Sequence, residues 1–332
     1  MKINTKELLK ALEIVKPGLA SKEMIEQSTS FAFMNDKVVT YNDEISISCP
    51  VKGLGITGAI HAQKLYQFFS KLKKDEVDVE ITDNEILFKS GRQRAGFTLE
   101  SEIKLPLEEI DGLDEWKDLP EGFIEALQFT HPCCSTDMSR PILTAVHINK
   151  TIVEASDAFR LAVFTLDSPV PTDKLLIPAG SIRELVKLKP VQITTGTGWV
   201  HFKTKEGAVI SCRRFEDPFP SVKHLLTVDG TQLRLPKTIT EIVEKATIFS
   251  TDGDEFITIT LVDNKMIIKG KSESGWFEEE ANIKYDGEEA NFFVNPHFLQ
   301  TILTKSNRCI IAPDKIKFEG ESWEYIAMLR VK

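Results

Sequence analysis

The chain has 332 residues, 42% of them hydrophobic and 27% charged, with 18 glycines and 15 prolines. This composition excludes a disordered or fibrous chain and, at this length, predicts two or three hydrophobic cores rather than one. A net charge of -9 excludes a uniformly basic surface of the kind that phosphate contacts select.

The opening segment, 1–10, lacks the apolar run of a secretory signal, and no stretch reaches the roughly 18 apolar residues of a membrane span. A cytoplasmic protein without membrane contact is expected. The first predicted element is an amphipathic helix with Leu8, Leu9 and Leu12 on one face and Lys6 and Lys10 four residues apart. Gly53-Leu54-Gly55-Ile56-Thr57-Gly58 matches the glycine pattern of dinucleotide-binding turns, which must lie between a strand and a helix N-terminus. Here the glycines lead into a strand ending near Ile60, so no cofactor is expected from them. A second helix follows from Ala62, with Leu65, Phe68, Phe69 and Leu72 inward and Lys64, Gln67, Lys71 and Lys74 outward. Paired strands at 77–82 and 85–89 then flank the turn Asp83-Asn84.

The same order returns twice. Beyond a polar stretch at 113–120, Phe123, Ile124 and Leu127 mark a helix. Ile177-Pro178-Ala179 then leads into another with Ile182, Leu185 and Val186, and strands at 191–195 and 199–204 surround Gly196-Thr197-Gly198. Beyond 229–236, Ile242, Val243 and Ala246 open the third copy. Val294-Asn295-Pro296 leads into Phe298, Leu299, Ile302 and Leu303, and strands at 308–312 and 315–319 flank Pro313-Asp314. The spacing is regular: 177 minus 60 and 294 minus 177 are both 117. Such self-similarity predicts three copies of one domain, with boundaries at 1–115, 116–232 and 233–332. Each is an α+β domain of two helices on antiparallel sheet, and three in a row suggest an arc.

Candidate chemistry is sparse. Cysteines 49, 133, 134, 212 and 309 form an odd set without the spacing of a disulfide framework or zinc ribbon. His131 with Cys133 and Cys134 lacks a second pair to complete a tetrahedral site, and Asp252, Asp254 and Glu255 lack calcium-loop spacing. With no nucleophile-and-base or metalloprotease motif, no catalytic residue, metal or cofactor is expected. The helices instead expose cations, including the i,i+4 pair Arg183 and Lys187. A basic lining on one side of an acidic molecule is compatible with DNA, because screening confines each surface's field to about 8 Å.

Ser139-Arg140-Pro141-Ile142-Leu143-Thr144-Ala145-Val146 and Ala155-Ser156-Asp157-Ala158-Phe159-Arg160-Leu161-Ala162-Val163, followed by Ile177-Pro178-Ala179, Arg183-Glu184-Leu185, Phe219-Pro220 and Met328-Leu329-Arg330, together resemble the bacterial replicative sliding clamp, the beta subunit of DNA polymerase III. The resemblance runs the length of the chain. It implies a three-domain crescent that dimerises head to tail into a ring around duplex DNA, with a replicative polymerase and a clamp loader as partners and no enzymatic activity of its own. The implied DNA-facing residues are Lys10, Lys22, Lys64, Lys71, Arg140, Arg183 and Lys187. A pocket for partner peptides is implied at Leu143, Ser156, Ala158, Phe159, Arg160, Leu161, Pro220, Leu225, Ile326, Met328 and Leu329. Ring closure is implied between an edge strand with Arg92 and Arg94 and one with Glu278, Glu279 and Glu280, whose opposite charges favour the heterologous pair. The chain departs from the family's usual pattern at Ala158-Phe159 and Ala327-Met328-Leu329-Arg330, which implies a divergent member with a phage or plasmid as candidate source. The second reading is a decoy that binds polymerase peptides but is not loaded on DNA. A third is an enzyme on a repeated scaffold.

Overall fold

The computed structural model describes residues 1–108, 110, 113, 115–250 and 256–331. The acidic cluster at Asp252, Asp254 and Glu255 lies outside them. The chain divides into two compact units, Met1–Ile124 with Val170–Glu216, and Glu125–Pro169 with Asp217–Lys332. Residues 116–232 contribute to both.

In the first unit, α1 (Thr5–Val15) starts where the Asn4 side chain accepts the N–H groups of Lys6 and Glu7, both at 3.0 Å. This cap satisfies two donors that a helix start leaves without partners. Leu8, Ala11, Leu12 and Val15 form its buried face. α1 packs against α2 (Ala62–Lys71), which buries Leu65 and Phe69. Strands Lys2–Asn4, Glu76–Ile81, Glu85–Ser90 and Gln93–Thr98 pair in that order, leaving Gln93–Thr98 at the sheet edge.

An eight-stranded antiparallel sheet completes this unit. Four strands, Ile56–His61, Ser30–Asn35, Lys37–Tyr41 and Ile45–Pro50, continue into Val209–Arg213, Trp199–Lys203, Gln192–Thr195 and Lys117–Asp118. Ile47 opposite Ile210 marks the junction. Trp199, fully buried, packs with Ala32, Val39, Tyr41, Leu105, Leu107 and Ile110. Gly58 carries a φ of 132°, and a Cβ there would lie 2.6 Å from the Glu100 carbonyl. The glycine pattern at 53–58 thus serves a close strand crossing. α3 (Phe123–Thr130) stacks Phe123 on Phe202 at 6.0 Å, and α4 (Ala179–Leu188) buries Ser181, Ile182 and Leu185.

In the second unit, strands Ala145–Asn149, Ile152–Ser156, Arg160–Thr165, Trp323–Met328, Lys315–Glu319, Arg308–Ile311 and Thr231–Arg234 lie side by side. A five-stranded sheet runs Gly275–Asn282, Lys265–Ser272, Ile257–Val262, Ala290–Val294 and Arg330–Val331, with Gly275–Asn282 at one edge. α5 (Ile239–Thr247) packs on α6 (Pro296–Leu303) and on the strand Lys265–Ser272. The six helices and the strand pairs after each second helix thus stand where the repeat predicts them, and the class is α+β. All five cysteines are buried and outside any disulfide, with burial pushing Cys133 and Cys309 up to about 12. Among the described residues no helix is long and apolar enough to cross a membrane.

Candidate functional site

Antiparallel partners project their side chains to the same face of a sheet. Leu161 stands opposite Ile326, and Val163 opposite Glu324. Leu161, Val163 and Ile326 form a buried apolar cluster with Val222, against which Ile152, Phe219, Leu225, Leu226 and Val228 pack while keeping partial exposure. The cluster lies beneath the segment 219–228, whose single turn Lys223–Leu225 holds Leu225 in place. An apolar floor with a half-open apolar rim is the form that ligand sites generally take.

Two polar features frame it. Lys317 is 8% exposed and donates to the Leu226 carbonyl at 3.0 Å. Its ammonium pairs with Glu324 at 2.6 Å and Glu319 at 3.2 Å. Burial alone would lower its pKa, but the hydrogen bonds that it donates to Glu324 and Glu319 outweigh that and hold it above its usual value. On the strand Ala145–Asn149, His147 stacks on Phe219 at 5.0 Å and meets Glu154 through Nδ1 at 2.8 Å, fixing that rim aromatic.

Of the residues expected in the pocket, Leu161, Leu225 and Ile326 come together in the cluster. By strand alternation Ser156 and Met328 share their face, since Ser156 opposes Leu161 and Met328 lies two residues beyond Ile326. Arg160 does not: it opposes Ala327 on the other face, over the Phe298 ring of α6 at 4.7 Å. There Arg160 donates through Nε to Asp157 at 2.8 Å and through its second guanidinium nitrogen to the Pro132 carbonyl at 2.6 Å. Asp157 also accepts the N–H groups of Phe159 and Arg160. This buckle shapes a turn in which Ala158 has a φ of 76° and Phe159 is 54% exposed. The Phe159 carbonyl accepts the Met328 N–H at 2.8 Å. Pro220 is exposed, Leu143 half-buried in the turn Pro141–Thr144, and Leu329 buried with its N–H on the Asp314 carbonyl.

Val163, Val222, Phe219, Leu226, Val228, Ile152, His147 and Lys317 belong to this surroundings without having been assigned from sequence as pocket residues. Of these only Val163 and Phe219 carried a signal, in the motifs 155–163 and Phe219-Pro220.

The expected DNA-facing cations are all exposed: Lys10 on α1, Lys64 and Lys71 on α2, Arg183 and Lys187 on α4, Lys22 and Arg140 in connecting segments. Lys187 is paired with Glu184 at 2.7 Å. The helices of the third repeat differ. α5 carries Glu241, Glu244 and Lys245, and Lys245 pairs with Glu279 at 3.1 Å.

Of the two expected edges, Arg94 lies on the edge strand Gln93–Thr98, whereas Arg92 sits in the turn before it. Glu278, Glu279 and Glu280 lie on the edge strand Gly275–Asn282, each already joined to a lysine: Lys269 at 2.6 Å, Lys245 at 3.1 Å and Lys265 at 2.9 Å. The same strand leaves Trp276 71% exposed.

No protein-family model matches the sequence, and no curated protein matches it. Among solved structures the chain is similar to a sliding clamp (DNA polymerase III subunit beta) from Pseudomonas aeruginosa bound to griselimycin, with a TM-score of 0.87, 17% identity and coverage of 100% of this chain and 99% of that one. It is similar to a DNA polymerase III beta chain from Streptococcus pneumoniae TIGR4, at 0.86 and 20% identity, with 100% and 99% covered. For a DNA polymerase sliding clamp from Bacillus subtilis the values are 0.84 and 18%, with 100% and 98% covered. The chain has the repeated-domain fold of bacterial DNA sliding clamps, at a sequence distance that fits a divergent form.

Proposed function

We propose that this protein is a DNA sliding clamp: a non-enzymatic homodimeric ring of three-domain chains, divided at 1–115, 116–232 and 233–332, that encloses duplex DNA and tethers a replicative polymerase. The observation that carries this reading is the clamp fold over the whole chain together with an apolar sheet face, Leu161, Val163 and Ile326, left half-open beneath 219–228. Partner peptides dock there, against the cluster and the exposed Phe159. Lys10, Lys22, Lys64, Lys71, Arg140, Arg183 and Lys187 face the duplex through water and phosphate contacts, which position without reading sequence. The ring closes where the edge carrying Arg94 meets the edge carrying Trp276 and Glu278, Glu279 and Glu280. A clamp loader would open it.

The test is topological. The protein is loaded with a competent clamp loader onto nicked circular plasmid, freed of excess by gel filtration, and the plasmid is then cut. Retention on the circle with release on cutting is the expected result; dissociation from intact circles would sink the reading.

One observation favours a second reading, the decoy that holds polymerase peptides without being loaded. The helix faces of the third repeat supply Glu241 and Glu244 where a DNA lining would want cations. A decoy would bind the polymerase, leave nothing on the circle with a competent loader, and fail to stimulate synthesis.

A further inference from the structure

The sheet face that carries the apolar cluster holds a second feature two strands away. Arg234 and Arg308 stand directly opposite each other across the antiparallel strands Thr231–Arg234 and Arg308–Ile311. Both are exposed, and neither forms an ion pair with a described residue. Like charges placed directly opposite on a sheet repel. With Lys284, Asp286, Lys317 and Glu319 they line a cleft of about 600 Å³. Among the lining side chains Arg234, Lys284, Arg308 and Lys317 meet Asp286 and Glu319, a surplus of two positive charges, while Glu324, outside the lining, shares Lys317 with Glu319.

We propose that this cleft binds two neighbouring carboxylates of an acidic peptide segment in a partner protein. Guanidinium groups take carboxylates through paired, charge-assisted hydrogen bonds, and a dianionic stretch would neutralise the surplus and relieve the repulsion between the arginines. The sheet register supplies the reason for a polypeptide rather than a phosphodiester. Gln232 opposes Ile310, Ile310 opposes Lys317, Lys317 opposes Ile326, and Ile326 opposes Leu161. One row of side chains therefore leads from the apolar cluster to the cleft, so a partner whose apolar residues cover the cluster is brought to the arginines by its next residues. The choice of a peptide rests on the docking reading of the cluster; the charge argument does not.

The experiment is fluorescence anisotropy of a fluorescein-labelled hexa-aspartate peptide with the full chain at low salt. Binding should weaken about tenfold on Arg234→Glu or Arg308→Glu, while thermal unfolding stays at or above that of the parent and Arg308→Lys keeps part of the affinity. Binding that ignores both charge reversals would overturn the proposal, as would no binding at all. Tighter capture of inorganic phosphate, or of an oligodeoxythymidylate of equal charge, through the same arginines would overturn the peptide and assign the cleft to phosphate chemistry. Retention on circular plasmid is read separately, so failure of the clamp reading and failure of this one are distinguishable.

Discussion

Arg160 reaches back across its own turn to Asp157, Nε to Oδ2 at 2.8 Å, while its outer nitrogen holds the Pro132 carbonyl at 2.6 Å. Both side chains of the pair are about 15% exposed or less, so the turn that presents Phe159 is fastened by an ion pair well removed from water. Removing one member leaves the other charge buried, which costs more than the pair contributes. Arg160→Leu is expected to lose about 3 kcal/mol in urea unfolding, and Arg160→Leu with Asp157→Asn to lose less than the two single losses combined. Additive losses would show that the two side chains act independently.

Ala158 occupies the left-handed region at φ 76°, where a Cβ costs about 1–2 kcal/mol. Ala158→Gly should match or exceed the parent in thermal unfolding, and Ala158→Val should fall below it by about 1–2 kcal/mol. A valine variant as stable as the parent would mean that the turn relaxes without cost.

His201 is fully buried, its Nδ1 paired with the Ser211 hydroxyl at 2.9 Å and its Nε2 without a hydrogen-bond partner. Burial holds its pKa down, from 6.5 to about 4. Between these values the unfolded chain binds a proton that the folded chain refuses, so stability is full above about 6.5 and falls as pH drops toward about 4. The loss is on the order of 3 kcal/mol. Unfolding midpoints measured from pH 7 to pH 4 should decline more steeply for the parent than for His201→Phe; parallel curves would exclude His201 as the cause.

Trp276 stands in solvent on a sheet edge, while Glu278, Glu279 and Glu280 beside it are each joined to a lysine of their own unit. If that edge closes a dimer, exposed aromatic surface contributes more than carboxylates already paired. Sedimentation equilibrium should therefore show Trp276→Ala weakening self-association more than Glu279→Gln, with Arg94→Glu and Glu279→Arg restoring part of each other's loss. The reverse ranking would return the contact to charge.

The sequence was legible where physics is local. The six helices follow from apolar residues at i, i+3 and i+4, and the recurring strand pairs from period-2 alternation around turns such as Asp83-Asn84. The edge position of Glu278, Glu279 and Glu280 came from the family resemblance and not from any local pattern. Long-range register was not. Nothing local announces that Ile47 meets Ile210, or that Leu161 meets Ile326, and only that register separates Leu161 from its neighbour Arg160, which faces α6. The packing of 219–228 over the sheet escaped for the same reason. Phe219, Val222 and Leu226 stand at a helical spacing of three and four, yet the segment forms only the single turn Lys223–Leu225, and the lysine beneath them, Lys317, alternates with Ile316 and Phe318 and so reads as solvent-facing.

Leu161 and Ile326 stand opposite each other, yet 165 positions separate them along the chain, counting 326 minus 161. At a synthesis rate of roughly 5–20 residues per second, the ribosome takes roughly 10–30 s to travel between them. For that interval Arg160–Thr165 has its far edge unpaired and its apolar face uncovered, a condition that invites association with other nascent chains. The apolar cluster is thus incomplete in every product of translation that stops short of Ile326.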